Sequence, residues 1–267
     1  MGAETLQSAW IELLSQCVGH QGISPDDDTS TPPDLVGLGH WEAAEVLQQR
    51  YRPLLEPPRQ RPLVVAQLGQ SLDGRIATST GHSHYVTGPA DRTHLHRLRA
   101  LVDVVVVGAG TVAKDDPRLT VRAVAGRNPA RAVLLERDGL PADRSIFTDR
   151  AAPTWLVGAG HSQRLPADRQ LVADPAKPAT VLDALAATGA KRLLVEGGAR
   201  TVSAWIAQHL VDVLYVTVAP VLIGSGPTGI HLPAINRMDE AWRPVAQQFD
   251  LGEDRLFRLD FSASPES

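Results

Sequence analysis

The stretch Val102-Asp103-Val104-Val105-Val106-Val107-Gly108-Ala109-Gly110-Thr111-Val112-Ala113-Lys114-Asp115-Asp116-Pro117 sets the fold class. Its run of valines has the character of a strand buried on both faces, as in the middle of a parallel sheet. The run ends on glycines 108 and 110 and on Ala113, the spacing of a dinucleotide-binding fingerprint. In a Rossmann unit the last small residue lies inside a helix whose N-terminus receives a pyrophosphate. Here Lys114-Asp115-Asp116-Pro117 follows at once, and the proline is expected to remove that helix. No acidic residue ends a second strand at the expected distance of about 20 residues. A Rossmann site is therefore not expected, although the glycines still let the backbone approach a cofactor closely.

Outward from Val102–Val107, further β-type runs occur at Leu63–Leu68, Arg131–Leu135, Thr154–Val157, Arg192–Val195 and Val213–Ala219. Helical segments fall between several of them, at Pro89–Leu101, Thr180–Thr188 and Arg200–Leu210. This alternation predicts an α/β fold, mainly parallel, with helices on both faces of the sheet. Trp242–Leu251 and Arg255–Phe261, joined through Gly252-Glu253-Asp254, predict an antiparallel hairpin at the end. Residues 1–60 read differently. Thr5–Val18 and Trp41–Leu55 carry apolar residues at helical spacing, separated by the loop 26–33, and the proline-rich stretch Glu56–Pro62 reads as a linker. The expected organisation is a helical extension with its linker (1–60) packed beside the sheet, a main domain (61–262) and a short tail (263–267).

Composition narrows the function classes. The 267 residues are 43% hydrophobic but only 4% aromatic, so Val, Leu, Ile and Ala must fill the core. A net charge of −4 argues against a general nucleic-acid binder, which presents a basic face, but leaves room for a small anionic ligand held by a few local cations. The single cysteine, Cys17, excludes an internal disulfide and a cysteine-rich zinc site; among apolar neighbours it reads as a buried filler. No run approaches the roughly 18 apolar residues of a membrane span, and the first residues lack a secretion signal, so the cytoplasm is the expected location. No metal is expected. Asp115 and Asp116 lack further ligands, and His94 and His96 stand two apart on a helix and so point to different sides. Asp73-Gly74 reads as a tight turn.

Three stretches carry the chemistry. The first runs from Gln67 through Gly69, Ser71, Asp73-Gly74, Ser83 and Tyr85 to Gly88; the second holds His96, Arg99, Gly108, Thr111, Asp115-Asp116-Pro117, Leu119 and Arg122; the third is Val195-Glu196-Gly197-Gly198 with Asp212 and Pro220 beyond it. In this order and spacing the chain, over about residues 61–262, resembles the C-terminal reductase domain of the bifunctional riboflavin-biosynthesis deaminase/reductase. The resemblance implies a dihydrofolate-reductase-like fold. It also implies hydride transfer from NADPH to C1′ of the ribosyl group of 5-amino-6-(5-phosphoribosylamino)uracil, giving the ribityl form. It assigns the substrate to Ser83, Arg99, Leu119, Arg122 and Glu196, with Glu196 the candidate catalytic group. It assigns the cofactor to Gly69, Tyr85, Thr111, Asp115 and the run Gly197, Gly198, Ala199, Arg200, Thr201 and Val202, extending to about Ser203. A homodimer is expected from the same likeness and from apolar edges at Val213–Ala219 and the tail hairpin.

Those residue types suit those tasks. Arginine forks and a hydroxyl suit a phosphate monoester. A helix opening after Glu196-Gly197-Gly198 offers free N–H groups to a pyrophosphate. The chain also departs from the family. No Pro-Cys-x-x-Cys of the zinc deaminase is present, and Gln67 stands where the family commonly has a lysine near the substrate's sugar. An amide keeps hydrogen bonding but loses the cation, which opens the alternative of a different pyrimidine or pteridine-like substrate. Near the expected adenosine 2′-phosphate, Glu136 repels and Arg137 attracts, leaving NADPH against NADH open. A non-catalytic nucleotide-binding scaffold is the third reading.

Overall fold

The computed structural model describes residues 2–18, 40–57, 60–160 and 165–261. The loop 26–33, residues 58–59 of the linker and the tail 263–267 lie outside the described residues. In chain order the elements are α1 (Gly2–Val18), α2 (His40–Leu55), β1 (Leu63–Ser71), α3 (Pro89–Leu101), β2 (Val104–Gly108), α4 (Ala109–Asp115), β3 (Ala130–Leu134) and α5 (Ser145–Thr148). They continue as β4 (Thr154–Gly158), β5 (Arg169–Val172), α6 (Pro178–Ala186), β6 (Arg192–Val195), α7 (Ala199–Ala207), β7 (Val213–Ala219), β8 (Val245–Leu251) and β9 (Asp254–Asp260).

Nine strands form one sheet in the order β5-β4-β3-β2-β6-β1-β7-β9-β8. All neighbours are parallel except β7–β9 and β9–β8, as the sequence predicts for the terminal hairpin. Alternation along the strands sends Val65, Val105 and Val107 to one face and Val64, Val104 and Val106 to the other, so the valine run fills two cores at once. The first face is covered by α1, α2 and α3, with Trp10, Leu13, Leu47, Tyr51, Leu54 and Leu98 buried there. The second is covered by α6 and α7, through Val181, Leu182, Leu185, Val202, Trp205 and Ile206.

Residues 2–18 and 40–55 are part of the first core. The Arg192 guanidinium at the start of β6 donates to the carbonyls of Leu54 (2.6 Å) and Cys17 (3.2 Å), and the Tyr215 hydroxyl donates to the Arg50 carbonyl (2.6 Å). Cys17 is buried between the same helices, its thiol pushed up by that burial and directed at the Leu54 carbonyl.

Three expectations need correction. A helix does form after the valine strand: Gly108 is the N-cap of α4, which runs for 7 residues. Pro117 stops it rather than preventing it. Asp116 takes a left-handed conformation (φ 43°), its N–H closes on the Val112 carbonyl, and its carboxylate accepts from the Ser145 N–H (2.6 Å). The chain then leaves the helix at the proline after only two turns. Second, Val213–Ala219 is not an edge, because β7 is paired with β1 on one side and β9 on the other; the edge at that end of the sheet belongs to β8. Third, β5 has no counterpart among the predicted strands. It is a short, half-exposed edge strand whose sequence Arg-Gln-Leu-Val carries no buried run.

Candidate active site

The carboxyl ends of β1, β2 and β6 lie side by side in the sheet, the place where open α/β sheets form clefts. Two strand-to-helix corners interlock there. The Gly198 N–H donates to the Thr111 hydroxyl (3.0 Å). Gly197 has φ +109°, and a Cβ on it would come within 3.0 Å of the Thr111 oxygen; a Cβ on Gly108 would come within 2.9 Å of the Thr201 oxygen. Glycine at these positions therefore lets the N-terminal turns of α4 and α7 approach each other. No side chain caps α7, so the first N–H groups of that helix are left for a ligand. A cavity of about 780 Å³ opens here, lined by Gly108, Gly110, Thr111, Gly198, Arg200 and Thr201, with Glu136 and Arg137 farther along.

A second cavity of about 380 Å³ adjoins it, sharing Gly110, Thr111 and Gly198. Its walls include Gln67, Gly69, Ser83, Lys114, Asp115, Glu196, Gly197 and Ala199. Behind it Arg99, at the end of α3, clasps Glu196: Nε donates to Oε1 (2.8 Å) and Nη2 to Oε2 (2.7 Å), both side chains being under a tenth exposed. The third nitrogen, Nη1, donates to the Thr120 carbonyl (3.2 Å). Both Glu196 oxygens thus face guanidinium donors, and Glu196 is an acceptor here.

Arg122 follows on the loop after α4. Partial burial, then the Arg99 and Arg118 cations, draw its pKa down, which places three guanidinium groups in one neighbourhood. Its own N–H donates to His96 Nδ1 (3.0 Å). Burial first, and then Arg99 and Arg122, pull the His96 pKa down to about 3, so the ring is a neutral acceptor that holds the arginine loop. His94, two residues earlier on α3, points the other way and pairs through Nδ1 with the Tyr51 hydroxyl (2.7 Å) in the first core.

The fold thus brings together Ser83, Glu196, Gly69, Thr111, Asp115, Gly197, Gly198, Ala199, Arg200 and Thr201 around two joined cavities. Other assigned residues stand apart. Tyr85 is 84% exposed and lines a separate cavity with Arg92 and Pro220. Val202 is fully buried in the second core, so only its backbone is available to a cofactor. Leu119 is buried as well, in a left-handed conformation (φ 55°). The Ser203 hydroxyl accepts from the His231 N–H (2.8 Å). Glu136 is paired with Arg200 (3.1 Å), so its charge is partly offset. Asp73 behaves as a turn residue: the Ser71 hydroxyl, the Ile223 N–H and the Gly224 N–H hold its carboxyl at about 2.

The partner of Gln67 is not legible in the sequence. That amide donates to Asp91 Oδ1 (3.4 Å), which also accepts from the Thr217 hydroxyl (2.6 Å). The available signal was an acid in the first turn of a helix, and it does not distinguish an exposed residue from a buried one.

A mainly parallel sheet with a cleft at its carboxyl ends, and a glycine-lined cavity there beside a basic neighbourhood, defines by class an α/β protein whose site suits a phosphate-bearing ligand. Residues 62–246 match the family described as the RibD C-terminal domain, and the chain belongs to that family, a reductase family of riboflavin biosynthesis. It is 34% identical over 211 residues to the 2,5-diamino-6-ribosylamino-4(3H)-pyrimidinone 5′-phosphate reductase of Methanothermobacter thermautotrophicus, covering 73% of this chain and 96% of that one. It is 29% identical over 226 residues to the riboflavin biosynthesis protein RibD of Aquifex aeolicus, covering 82% of this chain and 62% of the other. Among solved structures, RibD of Acinetobacter baumannii superposes with a TM-score of 0.68 at 28% identity, again over 82% of this chain and 62% of that one. The chain spans about three fifths of the length of these RibD proteins.

Proposed function

We propose that this chain is an NADPH-dependent reductase of a ribosylaminopyrimidine 5′-phosphate, with 5-amino-6-(5-phosphoribosylamino)uracil as its substrate. The observation that carries the reading is the junction of the two cavities at Thr111 and Gly198, which puts a glycine-lined cradle for a dinucleotide directly beside the pocket walled by Glu196 and Ser83. When bound, NADPH would supply the hydride for C1′, with the C1′–O4′ bond breaking and O4′ taking up a proton to leave the ribityl chain. The residues fit that cofactor, because a Cβ at Gly108 or Gly197 would intrude on the cradle and the first N–H groups of α7 suit a pyrophosphate. Gly69 and Asp115 line the second cavity, and Thr111 stands where it joins the first. Arg137, with Arg200 beside it, supplies cations for the adenosine 2′-phosphate, and the Arg200 pairing offsets the repulsion from Glu136.

On the substrate side, Arg122 and Ser83 hold the phosphate, while Arg99 fixes Glu196 as an acceptor for the ribosylaminopyrimidine. The protein's share of the rate is alignment and anchoring rather than covalent chemistry. Gln67 favours testing a second substrate, the diaminopyrimidinone on which the Methanothermobacter relative is named as acting. The test is a turnover assay with each phosphorylated pyrimidine, followed at the nicotinamide absorbance; no NADPH consumption with either one overturns the proposal. A homodimer belongs to the same reading. The outer edge of β8 leaves backbone groups unpaired within the sheet, with Val245 and Trp242 exposed beside it. Light scattering at micromolar protein should give twice the chain mass, and a monomer removes this claim.

Among the described residues no helix is long and apolar enough to cross a membrane.

A further inference from the structure

Asp91 is the third residue of α3, and its side chain is buried, turned away from solvent toward β1 and β7. Oδ2 accepts from the Thr87 hydroxyl (2.6 Å), while Oδ1 accepts from the Thr217 hydroxyl (2.6 Å) and from Gln67 Nε2 (3.4 Å). These partners are all neutral side chains, drawn from β1, β7 and the turn before α3. Burying a carboxylate among neutral groups costs far more than leaving it at the surface. Burial raises the Asp91 pKa accordingly; the nearby Asp254 adds to the rise, and Arg92 and the two threonine hydroxyls oppose it.

The bland account of such an acid is that it stabilises the start of its helix through the dipole. An exposed side chain would serve that purpose as well, and no side chain caps α3. This carboxyl instead faces across the sheet. Its approach to the strand depends on Gly69, since a Cβ there would stand 2.7 Å from Thr87 Cγ2 and 3.3 Å from Asp91 Oδ2. Both Gln67 and Gly69 line the cavity that holds Glu196.

We propose that Asp91 is a positioning residue: it takes the NH₂ side of the Gln67 amide, so that the amide oxygen is presented to the hydroxyl or amine donors of the sugar in the cavity. The proposal rests on the reductase reading above. An ionised carboxylate can only accept, which sets which way round the amide lies. Protonation of Asp91 removes that constraint, and Gln67 then loses its fixed orientation. Selection in this pocket therefore falls on a neutral acceptor supported from behind, where a lysine at the same position would be a donor and a cation.

The experiment uses the whole chain. The Gln67 side-chain amide signals, labelled with ¹⁵N and assigned by their loss in Gln67→Ala, are followed against pH without any ligand. In the wild type they should shift through the Asp91 titration, and in Asp91→Asn that step should vanish. The substrate KM of the wild type should fall as pH rises through the same step, and Asp91→Asn should lose this dependence. Asp91→Leu removes the acceptor and should raise KM about tenfold, the worth of one ordinary hydrogen bond, while kcat changes less. A Gln67 titration step that persists in Asp91→Asn overturns the proposal, as does a wild-type KM in a folded Asp91→Leu. If Asp91→Leu does not fold, the Asp91→Asn data decide alone. If the wild type consumes no NADPH, the reductase reading falls; the ligand-free Gln67 signals still decide whether Asp91 orients the amide.

Discussion

Removal of the Arg99 side chain should unfold this protein at a markedly lower temperature as well as impair its site. Arg99 and Glu196 form a two-point ion pair with 8% and 7% of their side chains exposed, and Arg99 also satisfies the Thr120 carbonyl. Arg99→Ala leaves a carboxylate buried without its cation. Breaking such a pair from one side costs about 3–5 kcal/mol, chiefly as the desolvation of the charge left behind. At about 2–4 °C per kcal/mol for a domain of this size, the melting temperature should drop by roughly 6–20 °C. The assay is a thermal melt by circular dichroism at neutral pH, repeated for Arg99→Met, for Glu196→Leu and for the double variant Arg99→Met/Glu196→Leu. The double variant removes both charges and should melt well above Arg99→Ala, because an apolar pair of similar volume avoids the stranded charge. An Arg99→Ala protein melting within about 2 °C of the wild type would mean that the pair contributes little to stability, on that same scale. Strict additivity of Arg99→Met and Glu196→Leu in the double variant would show that the two side chains are not coupled.

Arg122→Ala should lower kcat/KM by about 10- to 100-fold on the phosphorylated substrate, the worth of a hydrogen bond to a charged group, and leave a dephosphorylated analogue unaffected; steady-state kinetics on the two compounds checks this. His96, held at about 3 against an ordinary value near 6.5, contributes stability that is complete above about pH 6.5 and is lost as pH falls toward 3, by up to about 1.4 kcal/mol per pH unit. Denaturant midpoints at pH 7 and pH 5 should differ less in His96→Asn than in the wild type. NADPH should bind more tightly than NADH, and Arg137→Ala should narrow the gap; nucleotide titrations that give NADH equal or tighter binding would show Glu136 to prevail over the cations.

Most of the fold was legible because its signals are local. The Val104–Val107 run, the apolar stretches around it and the glycines after β2 and β6 announce buried strands and tight corners with no knowledge of the rest. The failures have physical causes. Pro117 in the sequence predicts the loss of a helix, yet a proline just beyond the C-cap disturbs nothing upstream, and α4 fits in the residues before it. β5 escaped notice because a half-exposed edge strand has no apolar pattern. In the site, the glycine cradle at Gly108, Gly197 and Gly198 was foreseeable from strand-to-helix turns. The pairings were not: Arg99 meets Glu196 across 97 positions, and Asp91 meets Thr217 across 126. A charge alone does not reveal its partner: the sequence offers Arg99 as a phosphate ligand, and the structure pairs its fork with the Glu196 carboxylate.

The most direct test of the central claim is a single-turnover experiment in which the protein, NADPH and 5-amino-6-(5-phosphoribosylamino)uracil are mixed and the nicotinamide absorbance is followed, with the pyrimidine product identified by mass. One equivalent of NADPH should be consumed per equivalent of substrate, giving a product two mass units heavier that carries the ribityl chain. Unchanged absorbance with both this substrate and its diaminopyrimidinone counterpart, from protein shown to bind NADPH, would contradict it.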